Sequence, residues 1–112
     1  MSKMKKAIVV GSGIAGIASA IRLAVKGYDV EVFEKNSYLG GKLTEIRLDD
    51  YRFDAGPSLF TMPQFVEELF ELSDKKPSDY FEYERSKIAC HYFFEDGTFL
   101  PFPADKKNLL HE

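Results

Sequence analysis

An α/β fold built around a parallel strand–helix–strand unit is predicted by three features of residues 7 to 34, AIVVGSGIAGIASAIRLAVKGYDVEVFE. Ala7 to Val10 form an unbroken apolar run, the pattern of a strand buried on both faces. Ile14, Ile17, Ala18, Ile21 and Val25 recur at helical spacing, with Arg22 and Lys26 on the polar face and Gly27 as a stop. Between strand and helix, Gly11, Gly13 and Gly16 fit G-x-G-x-x-G. Val30, Val32 and Phe33 then supply the second strand.

Each position in the glycine turn has a chemical use. Gly11 lets the chain turn sharply out of the strand, Gly13 lets backbone approach a pyrophosphate, and Gly16 lets the helix pack tightly. Ser12, Ile14 and Ala15 lie within the same turn, where the helix start offers unpaired N–H groups and the positive end of its dipole. Glu34 follows Gly16 by 18 residues, close to the ~20 expected of a ribose-binding acid. Its carboxylate can accept hydrogen bonds from a ribose diol and would repel a 2′-phosphate. The strand before and the helix after the turn favour a dinucleotide site over an incidental glycine turn.

The motif alone does not say which dinucleotide. Glu34-Lys35 is followed by Gly40-Gly41-Lys42, then by Tyr51-Arg52-Phe53-Asp54-Ala55-Gly56-Pro57-Ser58. Adjacent glycines at 40 and 41 suit close approach of backbone amides to a ligand, and equally suit an ordinary flexible turn. Asp54 to Pro57 reads by itself as a strand end and a plain tight turn. In combination these segments resemble the flavin-dependent amine oxidase and carotenoid desaturase superfamily, with its E-(K/R)-x-x-x-x-G-G-(K/R) signature and aromatic strand ending in D-x-G. The D-A-G-P-S segment and the P-x-x-(hydrophobic)-E-E-L-F helix are most similar to phytoene desaturases. The resemblance covers essentially the whole chain and is strongest from Lys5 to Phe70. Two positions depart from the common pattern: Asp50 stands where a glycine is usual, and Lys42 where many relatives carry arginine.

The resemblance implies a Rossmann-like FAD-binding βαβ unit followed by the start of a β-rich substrate domain. It implies FAD as cofactor, held by Gly11, Ser12, Gly13, Ile14, Ala15, Gly16, Glu34, Lys35, Gly40, Gly41 and Lys42. Gly56, Pro57 and Ser58 would lie at the flavin end. The implied activity is desaturation of an apolar polyene, phytoene or a related carotenoid, with FAD as hydride acceptor. No catalytic side chain is assigned, because a flavin carries the redox chemistry. Relatives of this kind are several times longer, so the chain is expected to be the N-terminal portion of a longer enzyme and inactive alone. Two other readings remain open. One is another flavin oxidoreductase of the superfamily: amine oxidase-like, protoporphyrinogen oxidase-like or a carotenoid isomerase. The other is a dinucleotide-binding module without chemistry.

Composition narrows the field. The chain has 112 residues, 45% hydrophobic and 29% charged, with net charge -3. This is a globular composition with no electrostatic footprint for nucleic acid. The single Cys90 cannot form an internal disulfide, which fits a reducing cytoplasm. No apolar run reaches the about 18 residues of a transmembrane helix. Lys3, Lys5 and Lys6 before an apolar run mimic a signal peptide, but Gly11 interrupts the run. A carotenoid substrate would imply peripheral contact with the inner face of a membrane.

The rest of the chain is expected as follows. Leu43 to Leu48 and Tyr51 to Asp54 form two strands around an Asp49-Asp50 turn. Met62 to Ser73 is a helix capped by Thr61, with Pro63 in its first turn and Gln64 completing a capping box. Phe65, Val66, Leu69 and Phe70 make its apolar face, and Glu67, Glu68 and Glu71 a solvated one. The polar break at residues 74 to 79 separates residues 1–75, the FAD-binding part, from residues 76–112, the start of the substrate domain. Phe81 and Tyr83 alternate with glutamates in a strand-like way. Ile88 to Phe94 and Thr98 to Phe102 read as a hairpin around Asp96-Gly97. Its aromatics suit core packing first and an apolar substrate wall second. Cys90 and His91 point to opposite faces of a strand, which argues against a Cys–His dyad. No metal-ligand spacing occurs, and Asp105 to Glu112 reads as the opening of a helix.

Overall fold

The computed structural model describes residues 4 to 105. The expected helix opening over residues 105 to 112 falls, apart from Asp105, outside the described residues, as does His111. The described chain divides into a unit ending at Phe81 and a unit beginning at Glu82.

In the first unit, β1 (Lys6–Val10), α1 (Ile14–Val25) and β2 (Asp29–Phe33) form the expected βαβ motif. The two strands are parallel, with Lys6 opposite Asp29 and Val10 opposite Phe33. Gly27, at φ +83°, ends the helix as its backbone N–H donates to the Ala24 carbonyl. One expectation fails. Ala7 and Val9 are half-buried on the side that meets α1, but Ile8 is 66% and Val10 85% exposed. The two-stranded sheet has a helix on one face only, so the second apolar face of β1 has no cover among the described residues. Apolar surface of this kind predicts self-association at high concentration, read as a concentration-dependent sedimentation coefficient, and Val10→Lys should reduce it.

β3 (Glu45–Leu48) and β4 (Tyr51–Asp54) form an antiparallel hairpin around Asp49 and Asp50. Asp49 takes φ +52°, a left-handed value that Asp tolerates better than most residues. Both strands match the sequence expectation, the first beginning two residues later than Leu43.

Helix α2 (Gln64–Glu71) is shorter than expected. Its N-cap is Pro63, and no side chain caps it, so the proposed Thr61 cap and its Gln64 box do not form. The reason lies at Met62, whose φ of +52° turns the chain before the helix can begin. Leu69 is the buried apolar residue of this unit, with Val66 and Phe70 half-buried, whereas Phe65 is 57% exposed. Glu68, expected to be solvated, receives two hydrogen bonds from the Arg22 guanidinium, at 3.0 and 3.2 Å, joining α2 to α1. An apolar pocket of about 380 Å³ lies between the helices, walled by Ile17, Ile21, Leu43, Val66, Leu69 and Phe70.

Residues 74 to 79 fold back instead of leading straight away. A short 3-10 turn at Pro77–Asp79 returns Tyr80 and Phe81 to α2, with ring centroids 4.9 and 5.6 Å from Phe70. The polar break therefore belongs to the first unit, and the packing division comes after Phe81. The alternation of Phe81 and Tyr83 produces no strand; that segment is irregular.

The second unit is a hairpin of β5 (Ile88–Phe93) and β6 (Phe99–Pro103), with an irregularity between Ile88 and Cys90. Its turn is closed by the Gly97 N–H donating to the Phe94 carbonyl at 3.1 Å. His91 stacks on Phe99 at 5.4 Å, and Phe93 lies 5.0 Å from Phe99. Cys90 is exposed, and its thiol points to the His91 carbonyl oxygen and not to an imidazole.

Candidate dinucleotide site

The site is built where β1 ends. The Gly11 N–H donates to the Phe33 carbonyl at 2.7 Å, which extends the β1–β2 pairing by one bond. Gly11 then takes φ +94°, a conformation that favours glycine, and the chain turns into α1. Gly13 caps the helix in an extended conformation without any side-chain cap, and the first turn holds no acidic residue. Ile14 and Ala15 are exposed in that first turn. Its N–H groups have no intrahelical acceptors, so they are available to an anion.

The three glycines differ in what demands them. A side-chain carbon at Gly16 would lie 2.0 Å from the Gly11 carbonyl oxygen, so Gly16 is needed for packing against the turn itself, and Val9 is only the more distant neighbour at 3.6 Å. A carbon at Gly13 would meet nothing within 4 Å, and φ there is -65°. Neither packing nor backbone conformation within the chain requires a glycine at 13. A side-chain carbon there would enter open space.

The second glycine pair joins the first. The Gly40 N–H donates to the Ser12 carbonyl at 2.9 Å, and Gly13 and Gly40 pair in a short parallel bridge. A side-chain carbon on Gly41 would come 3.0 Å from the Gly13 α-carbon. Gly40 and Gly41 are thus more than a flexible turn: they buttress the loop beside the helix start. The next link is equally close, since a carbon at Gly56 would lie 1.8 Å from the Lys42 carbonyl oxygen. Lys42 is exposed, and so are Gly56, Pro57 and Ser58. Pro57 borders a depression with Thr44, Glu45, Arg52 and Asp54 on the hairpin side.

Glu34 stands at the end of β2 and reaches across to the turn. Its Oε2 accepts hydrogen bonds from both the backbone N–H and the hydroxyl of Ser12, each at 2.8 Å. Its Oε1 accepts from the backbone N–H and the side-chain amide of Asn36, at 2.9 and 3.0 Å. The Asn36 N–H, then the two Ser12 donors, hold the carboxyl down at about 2, with a smaller contribution from the Lys35 backbone. Sequence reasoning did not find Asn36. The signal was present, because a short amide two residues after the acid is a local turn-former.

The depressed Glu34 value fixes the direction of a pH effect. The ionised form is favoured in the folded chain, so its contribution to holding the turn is complete above about 4.5 and is lost as pH falls toward about 2. A carboxyl-carbon NMR titration should place the Glu34 midpoint far below its ordinary value, and Glu34→Gln should remove that part of the acid sensitivity. A midpoint near 4.5 would mean the Ser12 and Asn36 bonds do not hold in solution.

Comparison with known proteins places these residues in a wider setting. Residues 9–75 match the family of NAD(P)-binding Rossmann-like domains. The chain is 59% identical over 106 residues to a 1-hydroxycarotenoid 3,4-desaturase of Flavobacterium sp. (strain P99-3), covering 95% of this chain and 22% of that protein. It is 40% identical over 107 residues to a 4,4'-diaponeurosporene oxygenase of Staphylococcus haemolyticus (strain JCSC1435), covering 96% and 21%. The chain thus spans about a fifth of the length of these curated relatives. Among solved structures, an oxidoreductase from Methanosarcina mazei matches with a TM-score of 0.49 and 33% identity, over 59% of this chain and 17% of that one.

Proposed function

Because the chain belongs to the NAD(P)-binding Rossmann-like domain family, we propose that it forms the dinucleotide-binding part of a carotenoid desaturase-type oxidoreductase, with FAD as the dinucleotide. The observation that carries this reading is the joining of three separated motifs at one helix start: the Gly11–Gly16 turn, Glu34, and the Gly40-Gly41 pair packed on Gly13. The lack of any chain atom within 4 Å of a side-chain carbon at Gly13 supports close approach of a pyrophosphate, and the carboxylate of Glu34 suits an unmodified ribose over a 2′-phosphate. Gly40-Gly41-Lys42 after the acid supports FAD, since that segment carries the resemblance to flavin-dependent desaturases. A relative 59% identical is named a carotenoid desaturase, which favours desaturation over the oxygenation named for the 40% identical relative.

In this reading FAD supplies the hydride acceptor for oxidation of an apolar polyene. The residues of this chain bind and orient it. The helix start from Gly13 to Ala15 holds the pyrophosphate, Ser12 holds Glu34 in place, Glu34 takes the adenosine ribose, and Lys35, Lys42 and Gly56 to Ser58 continue toward the flavin. Such a substrate partitions into lipid. A substrate of that kind implies peripheral contact with the inner face of a membrane; no helix among the described residues is long and apolar enough to cross one.

Three measurements test this. A full-length enzyme carrying this chain should purify yellow, with flavin released by acid precipitation; a spectrum of bound NAD without flavin would contradict the assignment. In a carotenoid-producing host it should shift polyene absorption to longer wavelength. Glu34→Ala should weaken FAD binding by about 10- to 150-fold, the cost of losing charge-assisted hydrogen bonds. Unchanged affinity would mean that the ribose binds elsewhere.

A further inference from the structure

We infer that the two oxygens of Glu34 have divided tasks: Ser12 anchors Oε2 and so positions the carboxylate, while the Asn36 side-chain amide occupies on Oε1 the place that a ribose hydroxyl takes on binding. The inference rests on the nucleotide-binding reading above and deepens it at the adenosine end.

The argument is one of acceptor capacity. An ionised carboxylate offers about four acceptor positions. All are filled from within the chain, two at Oε2 by Ser12 and two at Oε1 by Asn36. A ribose hydroxyl that donates to Glu34 must therefore displace one of these donors. The candidates differ in cost. Ser12 is 1% exposed, its hydroxyl has no water to turn to, and its carbonyl is tied to the Gly40 N–H. Removing its hydroxyl from Glu34 would leave a buried polar group unpaired. The backbone N–H groups of Ser12 and Asn36 are fixed by the fold. The Asn36 side chain is exposed and can exchange Oε1 for solvent by rotating about its side-chain bonds. It is the donor that yields.

Removing the anchor and removing the occupant should then act in opposite directions. Titration of the whole chain with ADP and with 2′-deoxy-ADP reads both. Ser12→Ala should weaken ADP binding by about tenfold and shrink the preference for ADP over the deoxy ligand, because the carboxylate is no longer aimed. Asn36→Ala should tighten ADP binding by about 2- to 10-fold, with a smaller change for 2′-deoxy-ADP. ADP should also shift the Asn36 side-chain amide resonances of the unmodified chain, and 2′-deoxy-ADP should shift them less. If the unmodified chain prefers ADP but Asn36→Ala weakens its binding and the amide resonances stay in place, the division of tasks is wrong and the nucleotide site stands. If the unmodified chain shows no preference for ADP, both fall. Asn36→Ala changes an exposed side chain, so its result stands even if Ser12→Ala folds poorly.

Discussion

Gly13→Val is expected to abolish dinucleotide binding while lowering the melting temperature by only a few degrees, the cost of valine at a helix N-cap. A side-chain carbon at this position meets no atom of the chain within 4 Å, and the backbone conformation is one that valine adopts readily. The fold therefore bears the substitution without a steric clash at its first side-chain carbon. The two added methyl groups would project into the space over the start of α1 and keep a pyrophosphate from the first-turn N–H groups. Loss of two charge-assisted hydrogen bonds corresponds to about 100-fold or more in affinity. Calorimetric titration with FAD beside a thermal melt checks both halves. Retained affinity would place the phosphates elsewhere.

Gly16→Ala should do the reverse and act through the fold. Its new carbon would lie 2.0 Å from the Gly11 carbonyl oxygen, a contact that only backbone movement can relieve. Overpacking of this kind costs about 1–3 kcal/mol or more. At about 4–8 °C per kcal/mol for a domain of this size, the melting temperature should fall by about 4–24 °C. An unchanged melt would show that α1 does not pack on its own turn as described. The pair of variants separates a glycine required by a ligand from a glycine required by packing, two roles that share one motif.

The βαβ unit was legible because its signals are local and mutually consistent: an unbroken apolar strand, a 3.6-residue periodicity and glycines between them. The β3–β4 hairpin was legible from two strand-like runs around the paired aspartates. The start of α2 was not, because Met62 adopts a positive φ that sequence reasoning reserves for Gly or Asn. The strand-like alternation at Phe81 and Tyr83 failed for a related reason. Alternation records which side chains seek burial; Phe81 finds it against Phe70 across a turn. The apolar second face of β1 was read correctly as a pattern, yet it is exposed, because burial depends on what covers a strand and not on the strand alone. At the site, the glycines and Glu34 were visible as a motif. The roles of Ser12 and Asn36 were not, since which donor fills which carboxylate oxygen is decided by the path of two loops in space.

The central claim is that the Gly11–Gly16 turn, Glu34 and Gly40-Gly41 form one nucleotide-binding surface that accepts FAD. An amide NMR titration of the chain with FAD tests it most directly, since it detects weak binding and locates it. The account predicts shifts concentrated at Gly11 to Gly16, Glu34 to Asn36 and Gly40 to Lys42, reproduced in part by ADP and absent with a nucleotide bearing a 2′-phosphate. Shifts confined to other parts of the chain, or an equal response to the 2′-phosphorylated nucleotide, would contradict it.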